Sequence, residues 1–158
     1  RAAHFCGGRM HTRVANLGTS YSVSLWFWNG MPIDSRPVLG WMFGRGQNYS
    51  AQATGDGLGL NAKSQLIFSN GKETLTGKAN AERWKWHHAL LVRDREKVQV
   101  YLDGKLEISG VANAVSSVET LFLGGRNNKE SSWEGRLDEA AIFNRALSAA
   151  EVKGLSTP

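Results

Sequence analysis

A single cysteine, three prolines and the absence of any long apolar run set the first limits on this 158-residue chain. Cys6 has no second cysteine to pair with, which excludes an internal disulfide and a cysteine-built metal site. Its expected role is that of a small buried hydrophobe. No apolar stretch approaches the ~20 residues needed to cross a bilayer as a helix, so no membrane insertion is expected. The sequence opens on Arg1 with no initiator Met and no signal-peptide pattern, and is read as one domain, residues 1–158, excised from a longer protein.

Charge is unbalanced but not concentrated. Nineteen Lys and Arg against 14 Asp and Glu give a net charge of +5. Nucleic acid, anionic membranes and acidic glycans are the partner classes such a balance brings into view. The cations are scattered along the chain with acids between them, as on a solvated surface, so no nucleic-acid partner is expected.

Glycine is plentiful, at 18 residues, and it falls where turns are needed. The chain is organised around Trp84–Ile108. Trp86–Val92, Val98–Leu102 and Leu106–Ile108 are three short apolar runs. Arg93–Lys97 separates the first two and reads as a loop too polar to bury. Asp103-Gly104 separates the last two. Both residues tolerate positive φ, as a two-residue hairpin turn of type I′ requires. The result is a three-strand meander. Tyr21–Trp28 alternates strictly, with Tyr21, Val23, Leu25 and Phe27 on one face and Ser22, Ser24, Trp26 and Trp28 on the other.

Further strands are expected around 12–15 and at 38–43, 58–62, 65–69, 72–75, 119–123 and 137–143. Asn70-Gly71 reads as a second type I′ turn. Asn48-Tyr49-Ser50 has the pattern of a glycosylation sequon. Ser148 three residues ahead of Glu151 is a capping box for one short C-terminal helix. Many short strands at regular spacing imply an all-β, two-sheet antiparallel sandwich.

Five motifs in order resemble the laminin-G-like, concanavalin A-like jelly rolls. They are Tyr21–Trp28, Trp86-His87-His88-Ala89-Leu90-Leu91-Val92, Val98–Gly104, Leu121-Phe122-Leu123-Gly124-Gly125, and Gly135–Ser148. The resemblance implies a jelly-roll sandwich used as a module of secreted or cell-surface proteins, hence an extracytoplasmic setting. It does not choose among lectins, adhesion modules and glucanases.

No E-x-D-x-x-E triplet of the glucanase branch is present. Asp138 and Glu139 are adjacent, so on a regular strand they point to opposite faces and cannot act as a retaining pair. Asp138 is read as structural, paired with Arg145 or with a backbone turn. Gly55, Gly57 and Gly59 are followed by no helix that could hold a phosphate. His87 and His88 face opposite ways and cannot chelate one ion, and His88 is read as a core histidine with a satisfied ring nitrogen. Calcium is the one cofactor the resemblance leaves open. It needs hard oxygen ligands, for which the loop residues Asp34 and Asp56 are the candidates; Asp103 is better explained by its turn.

Trp26, Trp28, Trp84 and Trp86 are read as core or sandwich edge. Trp133 ends a polar loop with Arg126, Asn127, Asn128 and Lys129. An indole face could stack on a sugar there while amides and cations bind hydroxyl or acid groups; the alternative is that Trp133 folds back to cap the sandwich. The expected function is non-catalytic binding or adhesion, of a glycan with anionic preference. The alternative is a module that packs on a neighbouring protein domain, and a glucanase-like enzyme is the remote one.

Overall fold

The computed structural model describes residues 1–36, 38–47, 55–114, 119–128 and 130–157. The sequon at 48–50 and Lys129 lie outside the described residues. Twelve strands and one helix are seen among them: β1 (Ala3–Cys6), β2 (Met10–Arg13), β3 (Ser20–Asn29), β4 (Gly40–Gly46), β5 (Gly57–Leu60), β6 (Gln65–Ser69), β7 (Thr74–Asn80), β8 (Trp86–Asp94), β9 (Lys97–Leu102), β10 (Lys105–Val111), β11 (Thr120–Leu123), β12 (Glu134–Phe143) and α1 (Ala149–Leu155). They form two six-stranded antiparallel sheets, in the orders β1-β12-β3-β8-β9-β10 and β2-β11-β4-β5-β6-β7. This is the expected jelly-roll sandwich with one short C-terminal helix.

Alternation decides which residues meet between the sheets. Tyr21, Val23, Leu25 and Phe27 of β3 are fully buried and share the core with Met42, Phe43, Leu58, Leu60 and Phe68 of the other sheet. A second apolar cluster lies on the outer side of the first sheet. There Leu90, Val92 and Tyr101 are covered by Leu147 and by Val152 of α1. The helix starts where the capping box places it. Ser148 Oγ accepts the Glu151 amide, and Glu151 Oε2 accepts the Ser148 amide at 2.8 Å. With only seven residues, the helix depends on this cap and on Val152 packing.

The meander is as expected, and Asp103 and Gly104 both have positive φ, at 49° and 76°. Three expectations are corrected. Asn70-Gly71 is not a two-residue turn: β7 begins only at Thr74, and Asn70 Oδ1 accepts the amides of Lys72 at 3.0 Å and Glu73 at 2.8 Å, so a side chain shapes a longer loop. Cys6 is not buried: it ends β1 next to Phe5, which takes the inward position, so alternation turns the thiol outward. Arg93 is not in a solvated loop. It is the penultimate residue of β8, with 1% of its surface exposed.

The burial of Arg93 is made tolerable by its partners. Its Nε donates to Asp56 Oδ2 at 3.0 Å, and its guanidinium also donates to the carbonyls of Ala112 and Asn113. Tyr21 donates its hydroxyl to the same Asp56 oxygen at 2.6 Å. Burial, reinforced by the Asp56 charge, pushes the Tyr21 phenol well above its usual range. Every polar group in this cluster thus has a partner, which a buried charge requires.

Candidate functional site

The loop expected to bind ligand turns inward. Trp133 is fully buried and packs edge-on to Phe27 at 5.8 Å between ring centroids. It offers no face for stacking, and the capping alternative describes it. Arg126 is 5% exposed. Its guanidinium lies over the Trp41 ring at 4.3 Å and donates to the Gly55 carbonyl at 3.0 Å. Burial pushes it down to about 10, against the pull of Asp56. Asn127 is 2% exposed. Asn128 is half-buried, and its amide donates to Glu130 Oε2 at 3.2 Å. Two causes act: Arg126 closes over the second sheet where Trp41 lies against Gly57 and Gly59, whereas Trp133 enters the core between the sheets beside Phe27.

The two calcium candidates are engaged elsewhere. Asp56 is the buried partner of Arg93 and Tyr21, and exposed Asp34 pairs with Arg83. Among the described residues no cluster of three or more His, Cys, Asp or Glu could hold a metal ion. Asp103 accepts the His88 amide at 2.8 Å from within its turn. Asp138 Oδ1 accepts the amide of Glu139 at 3.0 Å, a local backbone bond, while Arg145 pairs with Glu151. His88 is fully buried and its Nε2 lies 2.7 Å from Ser24 Oγ.

A different surface gathers the exposed aromatic residues. Register sets three rows across the outer side of the first sheet. Arg136, Trp28 and Trp86 lie side by side on β12, β3 and β8, followed by Asp138, Trp26 and His88. The next row is Ala141, Ser24 and Leu90, where the helix-covered cluster begins. Trp84 is 58% and Trp86 40% exposed, and Trp26 and Trp28 are half-buried. Of core and sandwich edge, the core is therefore excluded for Trp84 and Trp86.

These side chains brace one another. Trp84 lies against Trp28 at 5.0 Å between centroids, with the Arg83 guanidinium 4.3 Å from the Trp84 ring. Arg136 sits over Trp28 at 5.1 Å. Trp84 holds φ at 65°, a conformation bulky residues rarely adopt. Such strain persists only where surrounding contacts enforce it, and it keeps a large indole at the surface. Beside this row opens a cleft of about 430 Å³, lined by Trp26, Trp86, Asp138, Glu139 and Thr157.

A bulge explains why both acids line one cleft. Asp138 pairs with Trp26 but Ala141 pairs with Ser24, so β12 has one residue more than β3 over that interval. Glu139 takes positive φ, 46°, within the bulge. The opposite-faces expectation for Asp138 and Glu139 assumed an unbroken pleat and is overturned by this irregularity.

Among solved structures, the chain is similar to domain 4 of a GH43 extracellular arabinanase from Geobacillus stearothermophilus in complex with arabinotriose. Identity is 21%, the match covers 99% of this chain and 76% of that one, and the TM-score is 0.70. It is also similar to the CBM40 of a Ruminococcus gnavus IT-sialidase bound to α2,3-sialyllactose, at 13% identity over 89% of this chain and 84% of that one, with a TM-score of 0.71. A Trypanosoma rangeli sialidase in complex with the inhibitor DANA matches at 17% identity and TM-score 0.75, over 98% of this chain but 27% of the sialidase. At these identities the likeness concerns the fold. No curated protein matches the chain. A family model matches residues 7–153, and the chain belongs to the concanavalin A-like lectin/glucanases superfamily.

Proposed function

We propose that this domain binds carbohydrate without cleaving it, through the tryptophan face of the first sheet. The observation that carries the reading is the row of Trp84, Trp28 and Trp86 beside the cleft floored by Trp26. Indole faces pack against the apolar face of a sugar ring, while carboxylates accept its hydroxyl hydrogens and guanidinium groups donate to its oxygens. Two of the similar structures hold sugars, arabinotriose and α2,3-sialyllactose, which supports the reading. Any preference for an anionic glycan rests on exposed Arg136 beside Trp28, because Arg126 is turned inward and Arg83 is paired with Asp34. An extracytoplasmic setting is part of the proposal, supported by the extracellular arabinanase whose domain shares the fold.

A glycan array on the isolated domain tests this, followed by titration of the best ligand against Trp84→Ala and Trp86→Ala. Each variant should weaken binding by about tenfold or more, equivalent to roughly 1.4 kcal/mol. The same ligands should release no reducing sugar on incubation. Release of sugar would overturn the non-catalytic reading. Failure of every glycan would favour the second reading, a module packed on a neighbouring protein domain. That reading has its own support: Leu106 and Val111 add further apolar exposure to the same sheet, at 49% and 64%.

A further inference from the structure

Asp138 and Glu139 share with Glu73, Asp94, Glu96, Glu107 and Glu130 the lack of an ion-pair partner among the described residues, but these two neighbours line one cleft with two indoles. Asp34, Asp56, Glu82, Asp103, Glu119, Glu134 and Glu151 each lie within ion-pair distance of a basic side chain. Neither Asp138 nor Glu139 does so among the described residues, and their one mutual bond runs from the Glu139 amide to Asp138. A protein with net charge +5 therefore leaves two neighbouring carboxylates uncompensated, in a cleft walled by Trp26 and Trp86. The bulge that puts them together requires positive φ at Glu139, which glycine would take more readily. Arg136, the nearest cation along β12, is directed to Trp28 in the next row.

We infer that the cleft takes a saccharide bearing a free ammonium group, as on a de-N-acetylated amino sugar. The inference rests on the carbohydrate-binding reading of the same face and adds the ligand's charge. Two like charges side by side repel, and a cation between them relieves the repulsion through charge-assisted hydrogen bonds. The faces of Trp26 and Trp86 attract the same cation through their ring quadrupoles. An ammonium ion satisfies both walls of the cleft. An acetamido group satisfies only the aromatic one, and a carboxylate is repelled. The anionic preference suggested by overall charge is thus reversed at this cleft.

The test is a titration, in buffer containing EDTA, with three tetrasaccharides of one β-1,4-linked backbone: glucosamine, N-acetylglucosamine and glucose. The glucosamine oligomer should bind at least tenfold more tightly than the other two, and its advantage should shrink as salt is raised. The double variant Asp138→Asn, Glu139→Gln should abolish that advantage while its melting temperature stays near that of the wild type, since neither side chain is in the core. Equal binding of the three oligomers overturns the inference and leaves the carbohydrate-binding reading standing. Binding of none of them, with neutral glycans active on the array, does the same; no binding to any glycan at all removes both. Binding that appears only when calcium replaces EDTA would assign the carboxylates to a metal instead.

Discussion

His87 Nδ1 donates a hydrogen bond to Asp103 Oδ2 at 2.8 Å, tying strand β8 to the hairpin turn between β9 and β10. On the other side of the ring, Nε2 lies 3.1 Å from the Glu82 carbonyl. Both neighbours are acceptors, so the ring is satisfied at both nitrogens only when both carry hydrogen. The bond to Asp103 accordingly raises the His87 pKa against the effect of partial burial. Burial works to raise Asp103, but the hydrogen bonds from His87 and the His88 amide outweigh it and hold the carboxyl below its usual value.

The signs define a pH window. A raised histidine contributes stability that is full below its ordinary value of about 6.5 and lost as pH rises through the folded value. A lowered aspartate contributes stability that is full above about 3.9 and lost as pH falls through the folded value. The pair should therefore contribute most between roughly pH 4 and pH 6.5. Asp103→Asn keeps an acceptor for the His88 amide and removes the charge. Its melting temperature should fall furthest below the wild type near pH 5.5, and the gap should narrow by pH 9. A gap independent of pH would mean that the pair is not ionic.

The turn itself supplies the second prediction. Gly104 sits at φ 76°, and a Cβ there would come within 2.5 Å of Ser156 Oγ. Gly104→Val should destabilise the domain by roughly 1–3 kcal/mol, through strain more than through the flexible Ser156 side chain. Thermal unfolding reads this directly, and an unchanged midpoint would contradict the turn geometry.

Asp56 provides a contrast between buried and exposed charge. Asp56→Ala removes the carboxylate that faces Arg93 and Tyr21 in the interior and should cost roughly 3–5 kcal/mol. Glu119→Gln breaks only the exposed pair with Arg13 and should change stability by less than about 1 kcal/mol. Urea unfolding of the two variants, measured together, checks the ordering; similar losses would mean that the Asp56 cluster is not the tie between the sheets.

Trp133→Ala should behave as a core deletion, costing roughly 3–5 kcal/mol. Trp133 emission should resist quenching by iodide, since the indole is fully buried. One variant carrying Trp→Phe at the other five positions, so that Trp133 alone remains, makes that reading unambiguous. A quenchable Trp133 would restore it as a surface residue.

What the sequence reveals and what it hides have distinct physical causes. Alternation in Tyr21–Trp28 assigns the core face to Tyr21, Val23, Leu25 and Phe27, and the same alternation already puts Trp26 and Trp28 on the opposite face. What covers that second face is not contained in the alternation itself. The helix covers Leu90 and Val92 but stops short of Trp86. The inward turn of Arg126 depends on Trp41 and Gly55, far away in the chain, and has no local signature. The shared cleft of Asp138 and Glu139 depends on a register shift against β3, which no single strand's pattern contains.

The six tryptophans allow the central claim, sugar binding on the tryptophan face, to be tested in one experiment. Their indole N–H resonances, assigned by single Trp→Phe variants, are followed by NMR while the best glycan is titrated in. Trp26, Trp28, Trp84 and Trp86 should shift progressively to saturation while Trp41 and Trp133 stay in place. Shifts confined to Trp41 and Trp133, with the other four unmoved, would contradict it.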